Sequence, residues 1–387
     1  MHLPAARLEG IKPTIFTQMS ALALRTGALN LGQGFPDEDG PDTVIQAARR
    51  ALVTGRNQYA PGPGVPELRL AIAAHQRRHY GIDLDPSTQV VVTTGATEGI
   101  AAALLGLVNP GDEVLVLEPY YDSYQAMIQM AGGVRRPVTL RAPDFRLDAD
   151  ALRAAVTERT RLVLLNTPHN PTGTVLTRAE LEAVASVAIA HDLIVVTDEV
   201  YEHLVFDDHE HVPIATLPGM AERTLTLSSA GKSYSFTGWK VGWATGPADL
   251  VAAVLSAKQW LTFTSGSPLQ PAIAHALEHE SGFPRRWAYT LEERRDLLCA
   301  GLAAAGLEAR VPEGTYFTLT DISHLGWPDA MAFCEALPER AGVVAIPAQP
   351  FYDDQDAGRH LVRWAFCKRA DVVLEGVRRL AAANLNA

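Results

Sequence analysis

From about residue 87 the chain alternates between two hydrophobic patterns. Short aliphatic, β-branched runs occur at 89–94 (QVVVTT), 113–119 (EVLVLEP), 161–166 (RLVLLN), 193–199 (LIVVTDE), 223–229 (RTLTLSS) and 241–246 (VGWATG), with little polar alternation. Strands of this kind are buried on both faces, as in a mostly parallel sheet covered by helices. Between them lie stretches such as 178–191, where apolar residues return at helical spacing behind Thr177 as an N-cap. The pattern predicts an α/β domain extending to roughly Ala276.

After Gly282-Phe-Pro284 the rhythm changes. A charged helical stretch at 289–306 leads into strand-like segments at 316–319 and 361–366 and then a final helix, which reads as a smaller α+β domain. The first 45 or so residues are rich in Gly, Pro and Thr and read as irregular, packing against the small domain or a partner subunit. The expected division is an N-terminal arm and small-domain segment at 1–45, a large domain at 46–280 and a small C-terminal domain at 281–387.

A length of 387 residues fits two or three structural units, and 47% apolar content is enough for a large core. The net charge of -11, without a basic stripe, excludes nucleic acid as an expected partner. Cys299, Cys334 and Cys367 show no C-x-x-C spacing, so reduced core thiols are expected rather than disulfides or a zinc ribbon. The amino terminus lacks a basic stretch followed by an apolar core, and no apolar run is long enough to span a bilayer, so a cytoplasmic location is expected, with no membrane partner.

The most informative segment is 228–243, where Lys232 sits in a loop of small and hydroxyl residues with Lys240 nearby. Gly231 permits tight backbone geometry, and Ser229 could donate to a phosphate oxygen that Lys240 neutralises. Gly231-Lys232-Ser233 mimics the end of a nucleotide P-loop, but Thr226 stands where that motif needs glycine. A second phosphate cradle is suggested at 93–99, where Gly95, Ala96 and Thr97 open an Ala/Leu-rich helix whose N-terminal amides attract anions. A dinucleotide fingerprint fails, because Asp37 falls where Gly32-Gln-Gly34 requires a third glycine.

Asn166 to Gly173 follows one strand and Asp198 to Tyr201 closes the next, gathering polar groups at the carboxyl ends of the sheet, where such folds bind ligands. Asn170 before Pro171 is also a turn former, and Asp198 is also a possible N-cap. Arg363 lies in the apolar run Leu-Val-Arg-Trp-Ala-Phe and needs an anionic partner, either a structural ion pair or a bound carboxylate. His275-Ala-Leu-Glu278-His279 matches a zinc-hydrolase pattern, and His203, His209 and His211 cluster in an acidic loop, but neither shows a third ligand, so no metal is expected. No G-x-S-x-G nucleophile elbow occurs.

Taken together, these segments resemble the class I/II pyridoxal-phosphate aminotransferases of fold type I over almost the whole chain, from about Ile15 to Lys368. Within that family the similarity is to methionine aminotransferases and kynurenine/glutamine aminotransferases. It is carried by 14–23 (TIFTQMSALA), 31–37 (LGQGFPD), 57–61 (NQYAP), 121–124 (YDSY), 166–171 (NTPHNP) and 230–240 (AGKSYSFTGWK). The resemblance implies a large domain with a mostly parallel seven-stranded sheet between helices, a small α+β domain, and a homodimer. It further implies that Lys232 forms the Schiff base with pyridoxal phosphate and then moves the substrate α-proton, while Asp198 faces the ring nitrogen.

By the same resemblance Asn170 and Tyr201 bond the ring oxygen, and Tyr121 stacks on the ring. Gly95, Ala96, Thr97, Ser229 and Lys240 hold the phosphate, with Tyr59 reaching across from a second subunit. Lys240 replaces the arginine of aspartate aminotransferases, which favours the kynurenine and methionine branch. Arg363, Asn166 and the Gly34 backbone are expected to hold the substrate α-carboxylate, with Ile15, Phe16, Tyr59 and Phe263 lining the side-chain pocket. The function implied is ping-pong transfer of the amino group of an apolar or aromatic amino acid, methionine favoured over glutamine, phenylalanine and kynurenine, to a 2-oxo acid. The alternative on this fold is a β-lyase acting on cysteine S-conjugates. A non-catalytic regulator would need a DNA-binding domain ahead of motifs that already begin by residue 15.

Overall fold

The structure, a computed structural model, describes residues 5–387. Residues 1–4 of the expected arm, with the start of the terminus read for a targeting signal, lie outside the described residues.

Seven strands form the central sheet in the order Val90–Thr94, Val241–Thr245, Thr224–Ser229, Ile194–Asp198, Thr160–Asn166, Glu113–Glu118 and Val134–Thr139. All neighbours run parallel except Val241–Thr245, which is antiparallel to both of its partners. Six of these strands are the runs predicted from hydrophobicity. The alternating side chains of each run go to opposite faces: Leu162 and Leu164 join one core cluster, while Val163 and Leu165 join another. Each such side chain contributes about 1.5–3 kcal/mol when fully buried, so both faces need helical cover. Helices Gly95–Leu107 and Ala248–Leu261 pack together over one face, and Arg178–Ala190 covers the other. Thr177 caps this last helix in a full capping box with Glu180.

A second, three-stranded antiparallel sheet comprises Ile346–Pro347, Leu361–Ala365 and Phe317–Asp321, and Arg363 lies in its middle strand opposite Leu319 and Ile346. Helix Phe283–Ala304 begins at Gly282 with Pro284 in its first turn, where the missing N–H does no harm. Strand Leu29–Asn30 pairs in parallel with Val343–Val344, so the amino-terminal segment docks beside the smaller sheet.

Two elements depart from the sequence reading. The supposedly irregular start holds a regular helix, Ile15–Thr26, capped by the Thr14 side chain and closed by Gly27 in the left-handed conformation. The seventh strand, Val134–Thr139, carries two arginines and a proline, and it is tolerated because it forms the sheet edge. Among the described residues no helix is long and apolar enough to cross a membrane.

Candidate active site

At the carboxyl ends of the central strands a cavity of about 410 Å³ opens toward the smaller sheet. It gathers Gly34, Gly95, Ala96, Thr97, Tyr121, Asn166, Asn170, Asp198, Tyr201, Ser229, Lys232, Lys240, Phe16 and Arg363 from eight separate stretches of chain. Sheet register explains part of this convergence, since Asn166 and Asp198 are direct cross-strand partners.

Asn166 acts as a latch: its Nδ2 donates to the Asp198 carbonyl at 2.8 Å and its Oδ1 accepts from the Asn170 N–H at 2.8 Å. Its amide is therefore tied to the backbone rather than left wholly for the substrate carboxylate expected from the sequence. The Asp198 side chain is 5% exposed and accepts from the Tyr124 hydroxyl at 2.7 Å. Burial pushes its carboxyl up to about 6, against the opposing pull of the Tyr124 bond and of Lys232. Burial likewise lowers the Lys232 amine to about 8, which makes a neutral, proton-accepting amine accessible near neutral pH. The amine lies 5.8 Å from the Tyr201 ring centre and 5.6 Å from that of Tyr316. Its hydrogen bond, to the Gly34 carbonyl, is a long 3.5 Å, and that carbonyl also accepts from the Tyr316 hydroxyl at 2.6 Å.

Opposite Lys232, the backbone builds an anion cradle. Gly95 has a φ of +70° at the head of the helix whose first amides, including Ala96 and Thr97, have no intrahelical acceptor. Lys240, itself in the left-handed region, brings Nζ to 3.1 Å from the position that a Cβ at Gly95 would occupy. Gly242 is required because a Cβ there would stand 2.7 Å from the Gly95 carbonyl carbon. The N-terminal amides, the Ser229 hydroxyl and the Lys240 ammonium suit a phosphate group.

Arg363 is 1% exposed and hydrogen-bonds only uncharged oxygens, the Asn170 Oδ1 and the Gly32 carbonyl, each at 2.9 Å. Its Nε has no partner. The guanidinium instead stacks on aromatic faces, 4.0 Å from the Phe317 ring centre and 4.8 Å from that of Phe16. Burial lowers it to about 10, so it stays charged at neutral pH. The structural ion pair considered for Arg363 is not formed among the described residues. Instead a cation facing a cavity with an orphaned donor is a binding site for a carboxylate.

Three sequence-chosen residues lie elsewhere in the chain. Ile15 points away from the cavity, because Ile15, Met19 and Ala23 form the buried stripe of their helix. Phe16, one position along, faces the cavity. Tyr59 and Phe263 are 82% and 51% exposed and pack edge-to-face at 5.2 Å on a separate surface patch. Conversely, the sequence reading passed over Tyr124, Tyr316, Phe317, Gln33 and Asp122. Tyr124 had a readable signal: it is three residues after Tyr121, in the first turn of the helix Asp122–Met130 for which Tyr121 is the N-cap residue.

A phosphate cradle, a buried carboxylate and a lysine in a cavity at the mouth of a mostly parallel sheet define a fold-type-I pyridoxal-phosphate enzyme. This chain belongs to the class I and II aminotransferases: residues 26–372 match the family described as "Aminotransferase class I and II", and these enzymes depend on pyridoxal phosphate. It is 54% identical, over 98% of both chains, to a Mycobacterium tuberculosis protein named probable N-succinyldiaminopimelate aminotransferase DapC. It is 41% identical, again over 98% of both, to the methionine aminotransferase of Escherichia coli K12. The solved N-succinyldiaminopimelate aminotransferase of M. tuberculosis superposes with a TM-score of 0.96, at 55% identity and covering 98% of this chain and 99% of that one.

Proposed function

We propose that this aminotransferase takes amino acids with an uncharged side chain, methionine foremost, with glutamine, phenylalanine and kynurenine as further donors to a 2-oxo acid. The supporting observation is the single unpaired guanidinium of Arg363 among aromatic rings. It offers one carboxylate clamp, and the rest of the side-chain space is lined by Phe16, Tyr121 and Phe317. Asp122 also lines the cavity, and it would repel a second, side-chain carboxylate once ionised.

When bound, pyridoxal phosphate supplies an aldehyde for an amine and a ring that accepts an electron pair. Gly95, Ala96, Thr97, Ser229 and Lys240 would hold its phosphate, Tyr121 its ring face, Asn170 and Tyr201 its ring oxygen, and Asp198 its ring nitrogen. Arg363 orients the substrate by its α-carboxylate, with the Gly34 backbone beside it. Lys232 then takes the proton from the substrate α-carbon and returns one on the reverse half-reaction, a task suited to an amine near pKa 8. One cavity with one clamp serves donor and acceptor in turn, which gives ping-pong order.

The exposed Tyr59 and Phe263 support a homodimer in which this aromatic pair completes the partner's cavity. The division into an arm (1–45), a large domain (46–280) and a small domain (281–387) belongs to the same reading.

A second reading rests on the M. tuberculosis relative: N-succinyldiaminopimelate, whose distal carboxylates lie far from its reacting carbon. Steady-state kinetics with 2-oxoglutarate fixed and methionine, glutamine, phenylalanine, kynurenine, aspartate and N-succinyldiaminopimelate as donors decide between the two. Methionine should exceed aspartate in kcat/KM by at least about tenfold, a difference of 1.4 kcal/mol. If N-succinyldiaminopimelate surpasses every uncharged donor, the second reading replaces the first.

A further inference from the structure

Outside the catalytic cavity, helix Pro66–Tyr80 brings His75 and His79, one turn apart, against His203 from the segment that follows Asp198 and Tyr201. One nitrogen from each ring falls within 4.8 Å of the others. The ring centres form a nearly equilateral triangle, with sides of 4.6, 4.9 and 4.9 Å. We propose that His75, His79 and His203 form a site for a divalent transition-metal ion of the zinc class, with one coordination position left to water.

Hydrogen bonding alone satisfies this cluster poorly. His75 and His203 face each other Nε2 to Nε2 at 2.7 Å, and the buried His75 Nδ1 has no partner. If His75 donates in that contact, its Nδ1 is left as a buried lone pair; if His203 donates, the His75 Nδ1–H lacks an acceptor. Either tautomer leaves a buried polar atom unpaired. A metal ion bound by the two Nε2 atoms replaces that contact with two coordinate bonds at about 2.0–2.1 Å each, which at tetrahedral angles sets the nitrogens about 3.3 Å apart, so the rings part by about 0.6 Å and the His75 Nδ1 stays an N–H.

The surroundings favour a cation. The buried Glu202 side chain, next to His203 in the chain and accepting from the Ser228 hydroxyl, lies beside the triangle. His79 is exposed and His203 half-buried, which gives an ion a path from solvent. His209 and His211, grouped with His203 in the sequence, are not part of the site. His211 pairs instead with Glu199 at 2.9 Å.

A bound ion would pin the helix to the segment that carries Asp198 and Tyr201. The test is calorimetric titration of zinc chloride into the purified holoenzyme, with thermal unfolding measured in parallel. The expected result is one saturable zinc site per chain and a rise in Tm of a few degrees. His79→Ala, an exposed change outside the catalytic machinery, should weaken zinc binding by at least about 100-fold and remove the Tm rise. It should leave zinc-free transamination at the wild-type rate. Absence of a saturable site, or equal zinc affinity in His79→Ala, overturns the proposal.

Discussion

A guanidinium held at 1% exposure with one nitrogen unpartnered is in an expensive state that a bound carboxylate relieves. Arg363→Lys keeps the charge but loses the planar fork, so KM for every amino donor should rise about 10- to 100-fold, that is by 1.4–2.8 kcal/mol, with a smaller change in kcat. An unchanged KM would contradict the assignment. Tyr124 acts through Asp198. Its hydrogen bond favours the ionised carboxylate, so Tyr124→Phe should raise a pKa already near 6 and move the acid limb of the pH–rate profile upward. A fall in kcat of about tenfold or more is expected at pH 7. A tenfold loss with an unmoved acid limb would mean that the tyrosine matters only for packing. The need for a partner at Arg363 was legible in the sequence, because a charge inside Leu-Val-Arg-Trp-Ala-Phe cannot be solvated. That the partner is no carboxylate of the chain was not legible, since it depends on how Phe16, Phe317 and Asn170, far apart in sequence, close around it.

Among the elements, the buried strands were read correctly because burial on both faces leaves an uninterrupted aliphatic run. Val134–Thr139 escaped notice because an edge position admits arginine and proline. The helix Ile15–Thr26 was hidden by the Gly- and Pro-rich segments around it, although Thr14 and Gly27 mark its two ends. The catalytic cavity depends on close backbone approach where strand Val241–Thr245 passes the head of helix Gly95–Leu107. Gly242→Ala would place a methyl 2.7 Å from the Gly95 carbonyl carbon, against backbone that cannot swing aside as a flexible side chain would. The expected outcome is a loss of about 1–3 kcal/mol in stability, together with weaker pyridoxal phosphate binding. Urea unfolding and cofactor titration check both, and wild-type values in the two experiments would refute the packing argument.

Two properties belong to the whole molecule, its dependence on pH and the sharing of sites between chains. The folded-state values of His75 and His203, about 4 and 3, lie below the 6.5 of an ordinary histidine. The folded chain therefore resists protons that the unfolded chain binds. The contribution of these two histidines to stability is complete above about pH 6.5 and falls as pH drops toward 4, by up to about 1.4 kcal/mol per pH unit for each group. The Asp122 and Asp198 carboxyls, both raised by burial to about 6, follow the opposite trend. Thermal unfolding from pH 7 to 4.5 in the presence of a chelator should show wild type losing more stability than His75→Gln as pH falls, and equal losses would contradict this. The second property is shared active sites. Hybrid dimers of Tyr59→Ala and Lys232→Ala chains should regain one working site if Tyr59 serves its partner, and should stay as weak as the parents if it serves its own chain.

The convergence of Lys232 with Asp198 and Arg363 is tested most directly by reducing the pyridoxal-phosphate-loaded protein with borohydride and mapping the labelled peptide by mass spectrometry. The label should fall on Lys232 alone and disappear in Lys232→Ala, whose transamination rate should drop by about 10³-fold or more. Label on Lys240 or another lysine, or undiminished turnover in Lys232→Ala, would contradict the account.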